Sequence, residues 1–132
     1  RRPMNQVTDK IKTGTVGELL VQIRLLQLGV QAAPPIKDSG NDLVAVNGRE
    51  FRAISVRTTT SFSYNKPNAA RLYHVLAVVR LVGDDRIINL DESEIFLIPQ
   101  ADVAGAPTRC DRLEQYRFSR QAVETHFGNL AA

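Results

Sequence analysis

The residues best suited to chemistry are an aspartate and a Ser-Val-Arg tripeptide that fall on one predicted β-hairpin. Asp42 opens the first strand of this hairpin, and Ser55 and Arg57 belong to the return strand, residues 51–58. Alternate side chains of a strand share a face, so Ser55 and Arg57 point to the same side. A carboxylate, a hydroxyl and a guanidinium in such proximity are suited to holding a metal ion and a phosphate.

The hairpin itself is predicted from its turn. Asn47-Gly48 separates two β-rich segments, and this dipeptide favours a type I′ turn, in which both central residues need positive φ. The segment before Asp42, residues 38–41, contains the turn-forming residues Ser, Gly and Asn. We therefore expect a tight hairpin whose acidic residue stands at the head of its first strand.

A helix is predicted before the hairpin, over residues 13–28, beginning at Thr13 or Thr15 and ended by Gly29. Its apolar residues lie near one stripe at helical spacing and predict the core face: Val16, Leu19, Leu20, Ile23, Leu26 and Val30. Glu18 falls beside this stripe. It is either a first-turn carboxylate favoured by the helix dipole or part of a site.

The rest of the chain predicts a sheet with further helices. A nearly continuous apolar segment, residues 72–82, is typical of a strand buried at a sheet centre. Other strands are predicted at residues 30–33, 86–90 and 95–98, a helical turn at 100–106 and a Ser119-capped helix through Phe127, ended by Gly128. We expect an α/β or α+β sheet with helices packed on it.

A polar loop, residues 58–69, separates the hairpin from the apolar strand. Its length suits a mobile or ligand-binding segment. Phe62 and Tyr64 either stack on nucleic-acid bases or anchor the loop to the body of the protein, and Lys66 adds a cation.

Composition is that of one ordinary globular domain. The chain has 132 residues, 43% hydrophobic and 23% charged. The single cysteine excludes an internal disulfide, and two distant histidines disfavour zinc. No apolar run approaches the roughly 18 residues of a membrane span, and the first residues lack the apolar core of a signal peptide, so we expect a cytoplasmic location. A net charge of +3 and a pI of about 9.4 are compatible with a polyanionic partner.

Three elements in order resemble one family. A helix with Gly17-Glu18, a strand beginning at Asp42 and a partner strand reading Ile-Ser-Val-Arg-Thr at residues 54–58 resemble the PD-(D/E)XK, or restriction-endonuclease-like, nucleases. The pattern is most like that of small Holliday-junction-resolvase-like and intron-endonuclease-like members. The resemblance covers roughly residues 12–99. It implies a single α/β domain over residues 1–132, with a central mixed sheet, flanking helices and a C-terminal extension at 100–132.

The resemblance also implies roles for individual residues around Mg²⁺ or Mn²⁺. Asp42 would be the principal metal ligand, and Glu18 a second carboxylate acting directly or through water. Ser55 stands where the family has Glu or Gln, and the following Val56 would contribute its backbone carbonyl. Arg57 stands where the family has Lys.

Two of these residues depart from the family pattern. Ser55 has a shorter, neutral side chain, which should lower Mg²⁺ affinity. Arg57 keeps the charge and binds phosphate bidentately, but a guanidinium stays protonated and is a poor proton acceptor. Asp38 is a candidate replacement carboxylate, or only a turn residue.

The implied function is hydrolysis of DNA phosphodiester bonds by a homodimeric, resolvase-like endonuclease. DNA contacts are predicted for Lys12, Arg57, Thr58 and Lys66. The altered tripeptide keeps an alternative open, a non-catalytic module on the nuclease fold that binds DNA or a protein. A scaffold domain without a nucleic-acid role is a third interpretation.

Overall fold

The computed structural model describes residues 9–36 (side chains from Lys12 onward), 42–68, 71–83 and 87–131. The predicted turn with Asp38 and the first eight residues lie outside this part of the chain. The strands are β1 (Gln31–Ala33), β2 (Leu43–Asn47), β3 (Glu50–Thr59), β4 (Val75–Gly83) and β5 (Ile88–Pro99), and the helices are α1 (Asp9–Gln27), α2 (Gln100–Val103) and α3 (Arg120–Phe127).

The strands form one five-stranded sheet in chain order, β1-β2-β3-β4-β5. β3 and β4 are parallel, and the other neighbours are antiparallel. This confirms the predicted mixed sheet with flanking helices. As predicted, the apolar strand β4 lies inside the sheet, and its residues Val75 through Val79 are at most 2% exposed. None of the described helices is long and apolar enough to cross a membrane.

Helix α1 differs from its prediction in both its start and its buried face. It begins at Asp9, earlier than expected. The buried residues are Leu20, Val21 and Leu25, whereas three residues of the predicted core stripe are exposed by about half: Leu19 (50%), Ile23 (49%) and Leu26 (61%). The predicted stripe was correct for Leu20 and Val30, which are buried, and wrong for the three exposed residues. This helix is apolar on most sides, so periodicity alone does not fix its rotation.

Gly17 explains the rotation that the structure adopts. A Cβ atom at this position would overlap the Thr58 hydroxyl and lie 2.8 Å from Thr58 Cγ2. The backbone of α1 therefore contacts the side chain of β3 directly. The helix therefore presents Gly17 to the strand, and Leu20 and Val21, one turn further along the helix, lie in the core.

The predicted hairpin is confirmed, with its turn displaced by one residue. Asn47 pairs with Glu50, so the two turn residues are Gly48, at φ 60°, and Arg49. The Asn47 side chain instead donates hydrogen bonds to the end of the chain. Its acceptors are the carbonyls of Phe127, Gly128 and Asn129, at 2.9, 3.2 and 3.0 Å.

The two short strands predicted at 86–90 and 95–98 are one 12-residue strand, β5. The polar residues between them suggested a break, but Ser93 replaces the missing ladder bonds at a register shift. Its hydroxyl accepts from the Val82 N–H at 3.0 Å and donates to the Asn89 carbonyl at 2.8 Å. The last helix follows its prediction, because the Ser119 side chain accepts from the Ala122 N–H and Gly128 closes the helix.

Each face of the sheet has its own apolar cluster. One face packs on α1 and α3 and includes Leu43, Ile54 and Phe127. The other face packs on Tyr64 and on the C-terminal segment through Val103, Cys110 and Leu113. The segment after β5 thus covers both faces of the sheet.

Low pH should weaken the ion pairs by which Glu94 of β5 joins β4 and the C-terminal segment. Glu94 accepts from Arg80 and Arg117, each at 2.7 Å. Burial alone would raise the pKa of Glu94, but the two guanidinium groups outweigh it and lower the pKa. A lowered carboxyl pKa contributes stability above the unfolded-state value, and this contribution is lost as pH falls through the folded-state value. We expect Glu94→Gln to cost about 1–3 kcal/mol at pH 7 and progressively less toward pH 3, measured by thermal unfolding.

Glu114→Gln is the matched control, because Glu114 also pairs with Arg117 but its side chain is 76% exposed. Exposed pairs contribute little. A Glu94→Gln penalty that stayed constant between pH 7 and 3 would contradict the assignment.

Candidate active site

Asp42 stands directly before the first residue of β2, where the edge of β3 is left open. β2 pairs with β3 only up to Ile54. The Asp42 N–H donates to the Ile54 carbonyl at 2.9 Å, and Asp42 Oδ2 accepts from the Val56 N–H at 2.7 Å. One carboxylate oxygen thus takes the place of the missing strand, which leaves the other oxygen for a ligand.

The Val56 carbonyl faces the same edge. In a strand, the N–H and the C=O of one residue point to the same side. Because the Val56 N–H points to Asp42, its carbonyl also points away from β4. The backbone therefore supplies a hard oxygen beside the carboxylate, at the position that the sequence predicted.

Glu18 reaches this edge from α1. The close packing of Gly17 on Thr58 brings the first half of the helix against β3, and Glu18 is half-buried there. Burial and the negative charge of Asp42 raise the pKa of Glu18. A titratable group whose pKa is raised by burial and by a neighbouring carboxylate, in a cleft, is a candidate for a functional site.

A cleft of about 510 Å³ extends from this pair along β3. Its lining includes Glu18, Val56 and Arg57. The remaining lining is largely neutral and polar, with hydroxyl and carboxamide side chains from Thr13, Thr58, Thr59, Thr60 and Asn65. The cleft lining therefore combines one carboxylate, that of Glu18, with hydrogen-bond donors along its length, and Asp42 lies beside the lining rather than in it.

Ser55 and Arg57 extend from the face of β3 opposite α1. Ser55 is fully buried and pairs in register with Leu76, a member of the apolar cluster on that face. Within the described residues, Ser55 Oγ and Arg57 Nε are buried without a hydrogen-bond partner. Ser55 does not reach the cleft lining, whereas Arg57 does.

The other predicted DNA-contacting residues divide between the cleft and its surroundings. Thr58 lines the cleft, with its side chain packed under Gly17. Lys12 is exposed beside Thr13 but is not part of the lining. The Lys66 amine donates to the Ala104 carbonyl at 3.0 Å, away from the cleft.

The two loop aromatics have different environments. Tyr64 is an anchor, 5% exposed, and its hydroxyl donates to the Pro107 carbonyl at 2.6 Å. Burial, the first of several causes, raises its pKa to about 12. Phe62 is exposed and lies between the guanidinium carbons of Arg80 and Arg109, 4.6 and 5.6 Å from its ring centre.

The donors at this edge suit a hard divalent cation. Mg²⁺ and Mn²⁺ prefer oxygen ligands, commonly one or two carboxylates with water completing the shell. Glu18, Asp42 and the Val56 carbonyl are such ligands. The described side chains contain no cluster of three or more acidic, histidine or cysteine groups, so a site here would depend on two carboxylates and a backbone oxygen.

Neutralising Glu18 should stabilise the metal-free protein. Its pKa is raised in the fold, so its ionised form costs stability, and this cost appears as pH rises through the folded-state value. We expect Glu18→Gln to raise the free energy of unfolding at pH 7, by less than about 1 kcal/mol because solvent screens the partly exposed carboxylate, and this gain disappears toward pH 4. Thermal unfolding against pH measures this difference.

Adding Mg²⁺ should make the wild type more stable than Glu18→Gln, which reverses the order of their unfolding temperatures. A cation bound by the folded state raises the unfolding temperature of the wild type, and Glu18→Gln should respond less. An equal response of both proteins to millimolar Mg²⁺ would exclude Glu18 as a ligand.

The sequence did not identify Thr13, Thr60 and Asn65 as members of the site. A usable signal was present, because the run Thr58-Thr59-Thr60 directly follows Arg57 and extends the strand along the cleft.

No protein-family model and no curated protein matches the chain. The solved structures similar to it include a homing endonuclease and a Holliday junction resolvase. The bacterial homing endonuclease I-Ssp6803I superposes with a TM-score of 0.58 over 85% of this chain and 88% of that chain, at 14% identity. The Holliday junction resolvase Hjc of the archaeal hyperthermophile Archaeoglobus fulgidus superposes with a TM-score of 0.49 over 86% of this chain and 97% of that chain, at 16% identity.

The likeness to the homing endonuclease shows the fold. This chain has a restriction-endonuclease-like fold, and the resemblance noted in the sequence is confirmed at that level.

Proposed function

We propose that this protein is a metal-dependent endonuclease that hydrolyses phosphodiester bonds in DNA. The observation that carries the proposal is the pairing of Glu18 with Asp42 at the open edge of β3, beside a polar cleft. The nuclease fold of the chain supports it.

Glu18, Asp42 and the Val56 carbonyl would hold the metal ion. Bound there, Mg²⁺ would neutralise the phosphate, lower the pKa of an attacking water and stabilise the leaving oxygen. Arg57 would bind two phosphate oxygens through its planar fork. Because a guanidinium does not accept a proton, Arg57 would not act as the base, and the carboxylate of Glu18 on the cleft lining is the candidate acceptor for the proton of the water.

The direct test is cleavage of branched, nicked and linear DNA with Mg²⁺, with Mn²⁺ and with a chelator. We expect metal-dependent cutting of at least one substrate. An absence of cutting with either metal on all three substrates would contradict the proposal.

The geometry of Ser55 favours a second candidate, a catalytically inactive DNA-binding module. Its short hydroxyl is buried opposite Leu76 and does not line the cleft, so the site would lack a ligand. This candidate predicts salt-sensitive DNA binding that survives chelation, because phosphate contacts release counterions. Binding that requires Mg²⁺ and Asp42 would exclude it.

We also propose a homodimer, because cutting both strands of a duplex needs two sites. Exposed apolar residues on α1 (Leu19, Ile23 and Leu26) line a cavity of about 530 Å³ next to the short edge strand β1. Two such edges related by a twofold axis are self-complementary. Light scattering with wild type and Leu26→Glu tests this, and a monomeric wild type would contradict it.

A further inference from the structure

The loop that forms the far wall of the cleft is held by its own hydrogen bonds. The Thr59 hydroxyl donates to the Ser63 carbonyl at 2.7 Å and accepts from the Ser61 N–H at 3.1 Å. The Ser61 hydroxyl lies 3.1 Å from that of Thr59. These polar side chains are therefore engaged in hydrogen bonds within the loop, which fixes the shape of residues 59–63.

The same loop is fastened to the segment after α2. The Tyr64 N–H donates to the Thr108 carbonyl at 3.1 Å, and the Cys110 N–H donates to the Phe62 carbonyl at 2.7 Å. The Tyr64 hydroxyl adds its bond to Pro107. The wall of the cleft is thus preformed, which lowers the entropy cost of binding a ligand against it.

Thr60 and Asn65 differ from their neighbours in having side chains available for a ligand. Both are exposed and line the cleft, and in the part of the chain that the structure describes neither side chain makes a hydrogen bond. The adjacent cation, Lys66, is directed to Ala104 instead. This end of the cleft therefore offers neutral donors and no ammonium group.

We infer that Thr60 and Asn65 bind a non-scissile phosphate of the DNA strand whose scissile phosphate lies at Glu18, Asp42 and Arg57. The inference rests on the proposed function. Thr60 lies four positions after Val56, and a strand rises about 3.3 Å per residue, so this subsite lies about 13 Å from Val56. That distance excludes contact with the same phosphate and corresponds to one further along the DNA strand.

The chemistry of the donors favours a backbone phosphate over a base. A hydroxyl and a carboxamide can both donate to phosphate oxygens, which only accept, and such contacts carry no sequence information. Because the donors are neutral, they contribute affinity without neutralising a phosphate. Removing them should leave the salt dependence of binding unchanged, whereas removing a cation lowers its slope by about one.

The test is equilibrium binding of a 20-base-pair A·T duplex and a 20-base-pair G·C duplex over a range of salt concentrations, with Mg²⁺ and with chelator. We expect the double variant Thr60→Val, Asn65→Ala to bind both duplexes about tenfold more weakly, with an unchanged salt slope. Arg57→Gln should weaken binding and also reduce the slope.

Two further variants serve as controls. Gln27→Ala removes an exposed carboxamide at the far end of α1 and should bind as wild type does. Ser61→Ala removes an inward-turned hydroxyl from the same loop, so its effect reports loop shape alone. Thermal unfolding of the double variant checks that its exposed substitutions leave the fold intact.

Binding by the double variant equal to wild type would overturn the subsite and leave the proposed function standing. A loss confined to one duplex would indicate a base contact and would also overturn it. If the wild type binds neither duplex, the inference is overturned, and the proposed function is then decided by the cleavage assay on branched, nicked and linear DNA.

Discussion

Asp42→Asn is expected to reduce metal-dependent DNA cleavage by about 10²- to 10³-fold or more, since a metal ion supplies several kcal/mol of charge stabilisation in the transition state. The fold should survive the change. The amide oxygen of asparagine can still accept from the Val56 N–H, which now donates to Asp42 Oδ2 at 2.7 Å. Single-turnover cleavage with Mg²⁺, together with thermal unfolding, separates the lost charge from lost structure.

Asp42→Ala and Asp91→Asn complete the experiment on Asp42. Alanine removes the acceptor as well as the charge, so it should also destabilise the protein by about 1 kcal/mol. Asp91 is an exposed aspartate on β5, outside the cleft lining, and its conversion to asparagine should leave cleavage unchanged. Cutting by Asp42→Asn at the wild-type rate would remove Asp42 from the catalytic site.

Gly17→Ala is expected to destabilise the protein by about 1–3 kcal/mol, opposite to the usual effect of this change in a helix. In a helix interior, alanine is normally favoured over glycine by about 1 kcal/mol. Here the new methyl group would overlap the Thr58 side chain, so α1 must move away from β3. Glu18 would move with it, and a displacement of about 1 Å can cost 10²-fold in rate.

Gly14 provides the matched control on the same helix. A Cβ atom there would have no neighbour within 4 Å, so Gly14→Ala should follow propensity and stabilise the fold by about 0.5–1 kcal/mol. Denaturant unfolding of the two variants should give changes of opposite sign. Stabilisation by both substitutions would show that α1 does not depend on the close approach at Gly17.

Local signals predicted well the elements that depend on a few neighbouring residues. As expected, α3 begins after Ser119 and ends at Gly128, and a Gly-containing turn closes the β2–β3 hairpin. The buried strand β4 was equally clear, because its continuous apolar run suits only a position inside the sheet.

The misplaced features depend on contacts between distant parts of the chain. The rotation of α1 follows from Gly17 meeting Thr58, which lies 41 positions away (58 − 17). Ser93 keeps β5 continuous by accepting a hydrogen bond from Val82 of β4. Asn47 lies in β2 instead of the turn, and its side chain donates to the Phe127 carbonyl. Periodicity and propensity do not include such contacts.

The sequence predicted individual residues of the candidate site but not the cleft that extends from them. Glu18, Asp42 and Val56 lie near one another at the edge of β3, and their roles as metal ligands stay a prediction. The cleft beyond them depends on where residues 59–65 lie, and this is decided by the segment that follows α2.

That dependence has a consequence for how the protein tolerates change over evolutionary time. The loop is fastened mainly to backbone carbonyls, those of Pro107 and Thr108, which almost any residue can provide. Substitutions at these two positions should therefore be nearly silent, whereas a one-residue insertion or deletion between α2 and Cys110 would move the wall of the cleft. Selection for substrate binding would then preserve the length of this segment and allow much of its amino-acid sequence to vary.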